Sequence, residues 1–143
     1  MWPTTDQLKN KDLKKMRITR IESNNNGTHY LMGIKLINAA GQSSQQFGNF
    51  NSGAGGGTCQ SNSITLKDKD IKKITVYYDS AYPRGLTFTY KDGSTDNIVG
   101  TGGDKYDVNF EEGEILIGAS FDTANCGGHG CLGKMGFTLA KKI

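Results

Sequence analysis

The residues best suited to chemistry lie together near the C-terminus, in the run Cys126-Gly127-Gly128-His129-Gly130-Cys131. Zinc normally takes four ligands, and beyond this run the chain offers only His29, Cys59 and carboxylates. A Cys–His nucleophile would need a third group to orient the histidine, and the sequence indicates none. We therefore favour a disulfide between Cys126 and Cys131 that closes a glycine loop and presents His129. This interpretation predicts no metal and no catalytic residue, and it leaves Cys59 unpaired.

Two acidic runs and the glycine-rich segments do not match other common ligand sites. Glu111, Glu112 and Glu114 lack the alternating spacing of a calcium loop, and no glutamate follows Asp92–Asp96 at the required offset. The glycine-rich segments are not followed by Gly-Lys-Ser/Thr, so they do not form a nucleotide phosphate loop. The sequence therefore predicts no calcium, nucleotide or other cofactor.

The composition indicates one all-β domain. A chain of 143 residues is long enough for a single hydrophobic core. It has twenty glycines and two prolines, and its Thr, Tyr, Phe and Ile residues gather in short runs between turn-forming segments. A net charge of +3 is too small to indicate a nucleic-acid partner.

The sequence carries few signals of location. No apolar run approaches the roughly 18 residues of a membrane-spanning helix. The N-terminal run Met1–Asp6 has no apolar signal core. The cysteine pattern favours a secreted protein whose signal peptide has been removed, although an intracellular location stays open.

The elements that must position these residues follow a pattern repeated three times. Each copy has an apolar strand, a loop and an alternating strand. The first strands begin at Ile18, Ile71 and Ile115, and the second strands begin at Gly33, Gly85 and Lys134. Three such units can close around a shared core and leave little open sheet edge.

We divide the chain into a polar N-terminal arm, residues 1–15, and a single domain, residues 16–143. The arm is rich in lysine and is expected to be extended or loosely attached. The glycine-rich stretch 47–63 is interpreted as a loop within the domain rather than a linker, with the next strand beginning at Ile64. Asp92-Gly93 predicts a tight hairpin turn.

Three segments of the second half, Gly85–Gly93, Gly113–Gly118 and Leu132–Phe137, follow one another in an order that resembles the jacalin-related lectins. Residues 64–143 carry the resemblance, and residues 16–50 resemble a diverged first unit. The resemblance implies a β-prism I fold, in which three four-stranded Greek-key sheets are related by pseudo-threefold symmetry. Vitelline membrane outer layer proteins share this fold, so the resemblance indicates architecture better than activity.

The resemblance also implies a sugar site at one end of the prism, where glycine-rich loops approach the ligand and an aspartate accepts sugar hydroxyls. The positions that match the aspartate are Met32, Arg84 and Gly133, and none is acidic. The glycine loops remain, and tyrosines precede two of these positions. The residues expected to contact a sugar are the glycines Gly55, Gly56, Gly57, Gly102 and Gly103, the tyrosines Tyr30 and Tyr82, and the polar residues Thr28, His29, Arg84, Asp104 and His129.

We therefore predict a non-catalytic, lectin-like module that binds glycans or glycoconjugates at this end. Two alternatives stay open. A β-prism that has lost sugar binding would serve as a coat, matrix or toxin-targeting protein, with Cys59 linking chains into a homo-oligomer. Alternatively, a basic surface would bind anionic or sulfated glycans through Arg84, Lys67, Lys69, Lys72, Lys73 and Lys105.

Overall fold

The computed structural model describes residues 10–26, 30–43, 47–48, 59–66, 69–79, 82–99, 102–126 and 129–141. Within these ranges the elements in chain order are α1 (Asn10–Met16), β1 (Ile18–Asn26), β2 (Tyr30–Asn38), β3 (Phe47–Gly48), β4 (Cys59–Thr65), β5 (Ile71–Asp79), β6 (Tyr82–Tyr90), β7 (Thr95–Val99), β8 (Asp104–Asn109), β9 (Glu114–Cys126) and β10 (His129–Lys141). None of the described helices is long and apolar enough to cross a membrane.

The strands form three antiparallel sheets that correspond to the three repeated units. The first two sheets have the same Greek-key order, β3-β2-β1-β4 and β7-β6-β5-β8. The third consists, within the described residues, of the long hairpin β9–β10. The predicted all-β fold class is confirmed.

The two ends of the glycine-rich stretch 47–63 belong to the first sheet, as β3 and the first residues of β4. Residues 49–58 lie outside the described ranges, so the interpretation of this stretch as a loop rather than a linker stays a prediction. The predicted strand start at Ile64 is wrong, because β4 begins at Cys59 and its residues Cys59–Ser63 pair with Asn26–Glu22 of β1. Main-chain hydrogen bonds extend this strand through polar residues that carry no apolar alternation.

Each hairpin contains two register shifts at matching places. The first adds a residue near the beginning of the first strand, at Thr19, Lys72 and Ile117. The second falls near the beginning of the second strand, at Met32, Arg84 and Gly133–Lys134. Such β-bulges bend a strand and redirect its side chains. The three positions that match the family aspartate are therefore structurally equivalent.

The inward faces of the three sheets meet in one hydrophobic core. Its fully buried side chains include Ile21, Ile34, Leu36, Ile74, Leu86, Phe88, Leu116 and Leu132. Phe121 joins two sheets, with its ring 4.8 Å from that of Phe47 and 6.3 Å from that of Phe137. Burying an aliphatic or aromatic side chain of this size contributes about 1.5–3 kcal/mol to stability, so this core holds the units together.

The first strands of the three hairpins begin at the same end of the molecule, which we call the base. There Ile18, Ile71 and Leu116 line one small cavity. The guanidinium of Arg17 donates hydrogen bonds to the Lys69 carbonyl oxygen (2.6 Å) and to Asp70 (3.3 Å). Because β1, β5 and β9 run away from the base, the three hairpins turn at the opposite end, which we call the loop end.

The helix α1 packs at the base. Leu13 is 1% exposed and lies with Met16 against Ile117 and Ala140 of the third sheet. The expectation of an extended or loosely attached arm is therefore wrong for residues 10–15, because the two apolar side chains, three residues apart, lie on one helical face that the strands bury. Residues 1–9 lie outside the described ranges, and the boundary between arm and domain stays a prediction.

The predicted hairpin turn at Asp92-Gly93 is confirmed, and it lies at the base. Gly93 has a φ of 89°, and the Tyr90 N–H donates to the Ser94 carbonyl oxygen at 2.9 Å. Hydrogen bonds from the Ser94 hydroxyl and N–H hold the pKa of Asp92 below its usual value. Gly93 therefore has the same left-handed backbone conformation as Gly102 and Gly103 but lies at the opposite end of the molecule.

Candidate functional site

The loop end collects the segments that sequence analysis assigned to ligand binding. The β1–β2, β5–β6 and β9–β10 hairpins turn there. In the first two sheets the fourth strand also begins there, because Cys59 pairs with Asn26 and Asp104 pairs with Tyr78. Backbone segments from all three units therefore converge on one end.

The predicted site residues divide into three groups by what the structure describes. Arg84, Gly102, Gly103 and Asp104 are described and lie together at the loop end of the second sheet. Tyr30, Tyr82 and His129 are described only in their backbone, as the first residues of β2, β6 and β10. Tyr30 and Tyr82 each lie two residues before the bulge of their strand, whereas His129 lies four residues before Gly133. The predicted residues Thr28, His29, Gly55, Gly56 and Gly57 lie outside the described ranges.

The two cysteines of the predicted disulfide lie in the third hairpin. Cys126 pairs with His129, whereas Cys131 pairs with Ala124, so the cysteines are not opposite each other. The disulfide stays a prediction. In the described part of the chain, no three His, Cys, Asp or Glu side chains group as metal ligands.

Arg84 occupies the bulge of β6 and is half-buried. Its Nε is enclosed and has no hydrogen-bond partner. Its Nη1 lies 3.7 Å from the position that a Cβ on Gly102 would take, which is ordinary contact distance. The Arg84 side chain therefore lies against the loop that leads into β8, and its bulge position turns it towards that loop.

Gly102 and Gly103 give this loop its shape. Their φ angles are 117° and 77°, both in the left-handed range that side chains rarely adopt. A backbone built from consecutive glycines has no Cβ to keep a ligand away from its N–H groups. The prediction that these glycines form a loop before β8 is confirmed by this geometry, while their contact with a sugar stays a prediction.

Two tyrosines beside this loop were missed by the sequence analysis. The Tyr78 hydroxyl accepts a hydrogen bond from the Met135 N–H at 3.0 Å, and burial raises the pKa of Tyr78. The ring of Tyr106 lies 5.4 Å from that of Tyr78 in a T-shaped arrangement. Tyr106 is 59% exposed, the one large hydrophobic side chain among the described residues that is exposed. An exposed aromatic face is suited to the apolar face of a sugar.

Carboxylates lie near this tyrosine pair despite the missing family aspartates. Asp122, on β9 opposite the third bulge, is exposed and close enough to Tyr78 to help raise its pKa. Asp104 is exposed and pairs through its backbone with Tyr78. Either carboxylate can accept hydrogen bonds from hydroxyl groups. Sequence analysis named Asp104 but not Asp122.

The two other aspartate-equivalent positions cannot supply a charge. Met32 is 1% exposed, and Gly133 is buried. Of Met32, Arg84 and Gly133, the three residues that match the family acid, Arg84 is the one with an ionisable side chain.

The predicted basic surface around Arg84 does not form as one patch. Lys69, Lys72 and Lys73 lie near the base, whereas Arg84 lies at the loop end. At about 3.3 Å per residue, the six residues from Lys72 to Tyr78 along β5 span roughly 20 Å. Lys69 and Lys73 also each lie 4.0 Å from a carboxylate oxygen, of Asp96 and Asp107. Lys105 lies nearer the loop end, on β8, and Lys67 falls outside the described ranges.

No protein-family model matches this chain, and no curated protein matches it in sequence. Solved structures match its fold. A prostate-specific WGA16 glycoprotein lectin covers 100% of this chain and 91% of its own length, with a TM-score of 0.66 and 14% identity. The match to jacalin in complex with melibiose (Gal-α(1-6)-Glc) covers 87% of this chain and 92% of the jacalin chain, with a TM-score of 0.64 and 16% identity. The match to artocarpin in complex with mannotriose covers 87% of this chain and 83% of the artocarpin chain, with a TM-score of 0.61 and 19% identity.

These likenesses, together with the sheet order and the repeated bulges, identify the fold as a jacalin-like β-prism. The predicted fold and the predicted resemblance are confirmed. At such low identity the comparisons establish architecture and assign no role to an individual residue.

Proposed function

We propose that this protein is a non-catalytic carbohydrate-binding module whose site lies at the loop end. The observation that carries this proposal is the arrangement around Gly102 and Gly103. There a left-handed glycine loop, the exposed ring of Tyr106 and the carboxylates of Asp104 and Asp122 lie at the same end of the prism.

These groups supply the contacts that a sugar requires. The Tyr106 ring stacks against the apolar face of the sugar. The carboxylates of Asp104 and Asp122 accept its hydroxyl protons, and the N–H groups of Gly102 and Gly103 donate to its oxygens. Asp122 takes the acceptor role that the sequence resemblance implied for an aspartate at the bulge of a second strand.

The predicted residues of the other two units belong to the same proposal. Tyr30, Tyr82 and His129 begin the second strands of the three hairpins, so they lie at the loop end. Thr28, His29 and the glycines Gly55, Gly56 and Gly57 lie outside the described ranges and are included from the sequence alone. A sugar larger than one ring would contact residues from more than one unit.

Known β-prisms support a sugar as the ligand. The structures that resemble this chain include a glycoprotein lectin, jacalin with melibiose and artocarpin with mannotriose. These proteins bind different sugars on one architecture, so the fold leaves the sugar identity open. We also propose that the protein is secreted, carries the Cys126–Cys131 disulfide and has no catalytic activity.

A glycan array followed by titration of the bound glycans tests this proposal. We expect binding by the wild-type protein and a loss of about 5-fold in affinity for Tyr106→Ala, because one stacked ring contributes roughly 1 kcal/mol. Tyr106 is exposed, so the variant should melt at the wild-type temperature. Equal affinities for the two proteins would remove Tyr106 from the site, and silence across the array would contradict the proposal.

The burial of Met32 and the absence of a side chain at Gly133 favour a second candidate. Without acids at the family positions, a β-prism that no longer binds sugar would act as a structural or interaction protein. Cys59 would then link chains. Electrophoresis with and without reductant distinguishes this candidate, because it predicts a dimer that reduction removes, together with a silent glycan array.

A further inference from the structure

Arg84 differs from the other two arginines in having no partner among the residues that the structure describes. The chain has three arginines. Arg17 lies 3.3 Å from Asp70, and Arg20 lies 3.0 Å from Glu22. Arg84 has no ion pair or hydrogen bond among the described residues, and its Nε is enclosed. An enclosed N–H donor without a partner costs free energy of folding unless a ligand or a water molecule accepts its hydrogen bond.

The surroundings of Arg84 leave its guanidinium accessible to a ligand, and no described carboxylate neutralises its charge. The guanidinium lies next to Gly102, where the loop has no side chain to cover it. Asp104 follows two residues later but makes no ion pair with Arg84 within 4 Å in the described structure. The lysines of the second sheet that are described near the base lie too far away to form a joint anion site with it.

We propose that Arg84 binds the oxyanion of an acidic saccharide, a carboxylate or a sulfate ester carried on a sugar ring. This inference rests on the proposed carbohydrate site and names its ligand class. A planar guanidinium donates two parallel hydrogen bonds to an oxyanion, a geometry that neutral hydroxyls cannot match. At the bulge position where the resemblance to the jacalin-related lectins implies a hydroxyl-accepting carboxylate, this chain carries Arg84, a donor of opposite charge, so the ligand that it favours is acidic rather than neutral.

The contact is local rather than a diffuse charge effect. We assign the contact to one guanidinium, because Lys69, Lys72 and Lys73 lie near the base and two of them, Lys69 and Lys73, each lie 4.0 Å from a carboxylate oxygen. With a single charge-assisted contact, we expect tighter binding of the acidic sugar than of a neutral sugar that differs only in the acid group. This difference in affinity should decrease moderately as the salt concentration rises.

The test titrates wild-type protein and Arg84→Gln with two matched pairs of saccharides. The first pair is trigalacturonate and its methyl ester, and the second is 3′-sulfated lactose and lactose. We expect the wild-type protein to favour the acidic member of at least one pair. In Arg84→Gln this preference should fall roughly 10- to 100-fold, while affinity for the neutral member changes little. Whichever pair shows the preference identifies the oxyanion as a carboxylate or a sulfate.

Two variants separate the role of Arg84 from general effects. Arg84→Lys keeps the charge but removes the two parallel N–H donors of the guanidinium. It should therefore retain only part of the preference for the acidic saccharide. Arg20→Gln removes an exposed arginine of the first sheet and should leave all affinities unchanged. Arg84→Gln should melt at or above the wild-type temperature, because it removes a partly buried cation that has no partner.

The outcomes separate this inference from the proposed function. Equal wild-type binding of the acidic and neutral members would overturn the role of Arg84 while leaving a working lectin. An acidic preference that persists in Arg84→Gln would do the same. Failure to bind any of the four saccharides, together with a silent glycan array, would overturn both proposals.

Discussion

At the scale of single residues, one bulge position per hairpin decides what the loop end offers a ligand. Met32 is buried, Gly133 has no side chain, and Arg84 carries a positive charge that no described residue neutralises. The sequence predicted the equivalence of these positions because each precedes the first inward apolar residue of its strand by two. The register shifts confirm it.

Sequence analysis did not predict the contacts that residues make across the chain. Tyr106 was missed because it lies on β8, whose largely polar residues lack the apolar alternation by which a strand is recognised. Its exposure follows from the position of β8 at the edge of the second sheet. Ser23 Oγ and Asn25 Oδ1 are likewise buried without a hydrogen-bond partner, although their polar identities suggested exposure.

A prediction at this scale concerns Tyr90 and alkaline pH. Tyr90 is buried, and its hydroxyl donates to Asp96 at 2.7 Å; burial first and this hydrogen bond second raise its pKa well above the usual value near 10. The folded state then holds a proton that the unfolded chain loses, so the free energy of unfolding should fall as pH rises above about 10. The slope from this group is at most about 1.4 kcal/mol per pH unit.

Urea unfolding at several pH values between 8 and 11 measures this slope. Tyr90→Phe should show a shallower decline than the wild-type protein, with the remaining decline coming in part from Tyr78, whose pKa is also raised. Parallel declines for the two proteins would show that the proton on Tyr90 does not contribute.

At the scale of elements, apolar alternation predicted the strands that face the core and failed for the others. Leu86, Phe88 and Tyr90 alternate and form the inward face of β6, as expected. The polar first half of β4 and the exposed β8 are held by main-chain pairing to β1 and β5. Charged residues along β8 are typical of a protected sheet edge, and such strands carry no core-facing pattern to detect.

The helix α1 gives a prediction at the element scale. Leu13→Ala should lower the free energy of unfolding by about 2–4 kcal/mol, because it leaves a cavity between the helix and the third sheet. Lys14→Ala, at an exposed neighbouring position, should change stability by less than about 0.5 kcal/mol. Chemical denaturation of the two variants provides the comparison, and a similar small loss for both would mean that α1 does not contribute to the folded core.

At the scale of the whole molecule, the repeated unit predicts the architecture. Three similar hairpins with matching bulges share one core, so their turns emerge together at the loop end. The spacing of strands and glycines contained this information. The relative placement of Arg84, Gly102, Tyr106 and Asp122 did not follow from it, because these residues come from different strands and meet only in the folded chain.

The central claim is that this loop end, and not another surface, binds carbohydrate. Two left-handed glycines provide a matched test, Gly102 at the loop end and Gly93 in the turn at the base. An alanine at either position meets no close contact but is strained by its φ, so each substitution should cost about 1 kcal/mol or more of stability. The two variants therefore differ chiefly in location.

The most direct measurement is calorimetric titration of the strongest array glycan into wild-type protein, Gly102→Ala and Gly93→Ala. Our account predicts that Gly102→Ala loses about 10-fold or more in affinity, because the loop backbone that donates to the sugar is displaced. Gly93→Ala should bind within about twofold of the wild-type protein. Equal affinities for Gly102→Ala and Gly93→Ala, or the absence of any glycan that binds the wild-type protein, would contradict the account.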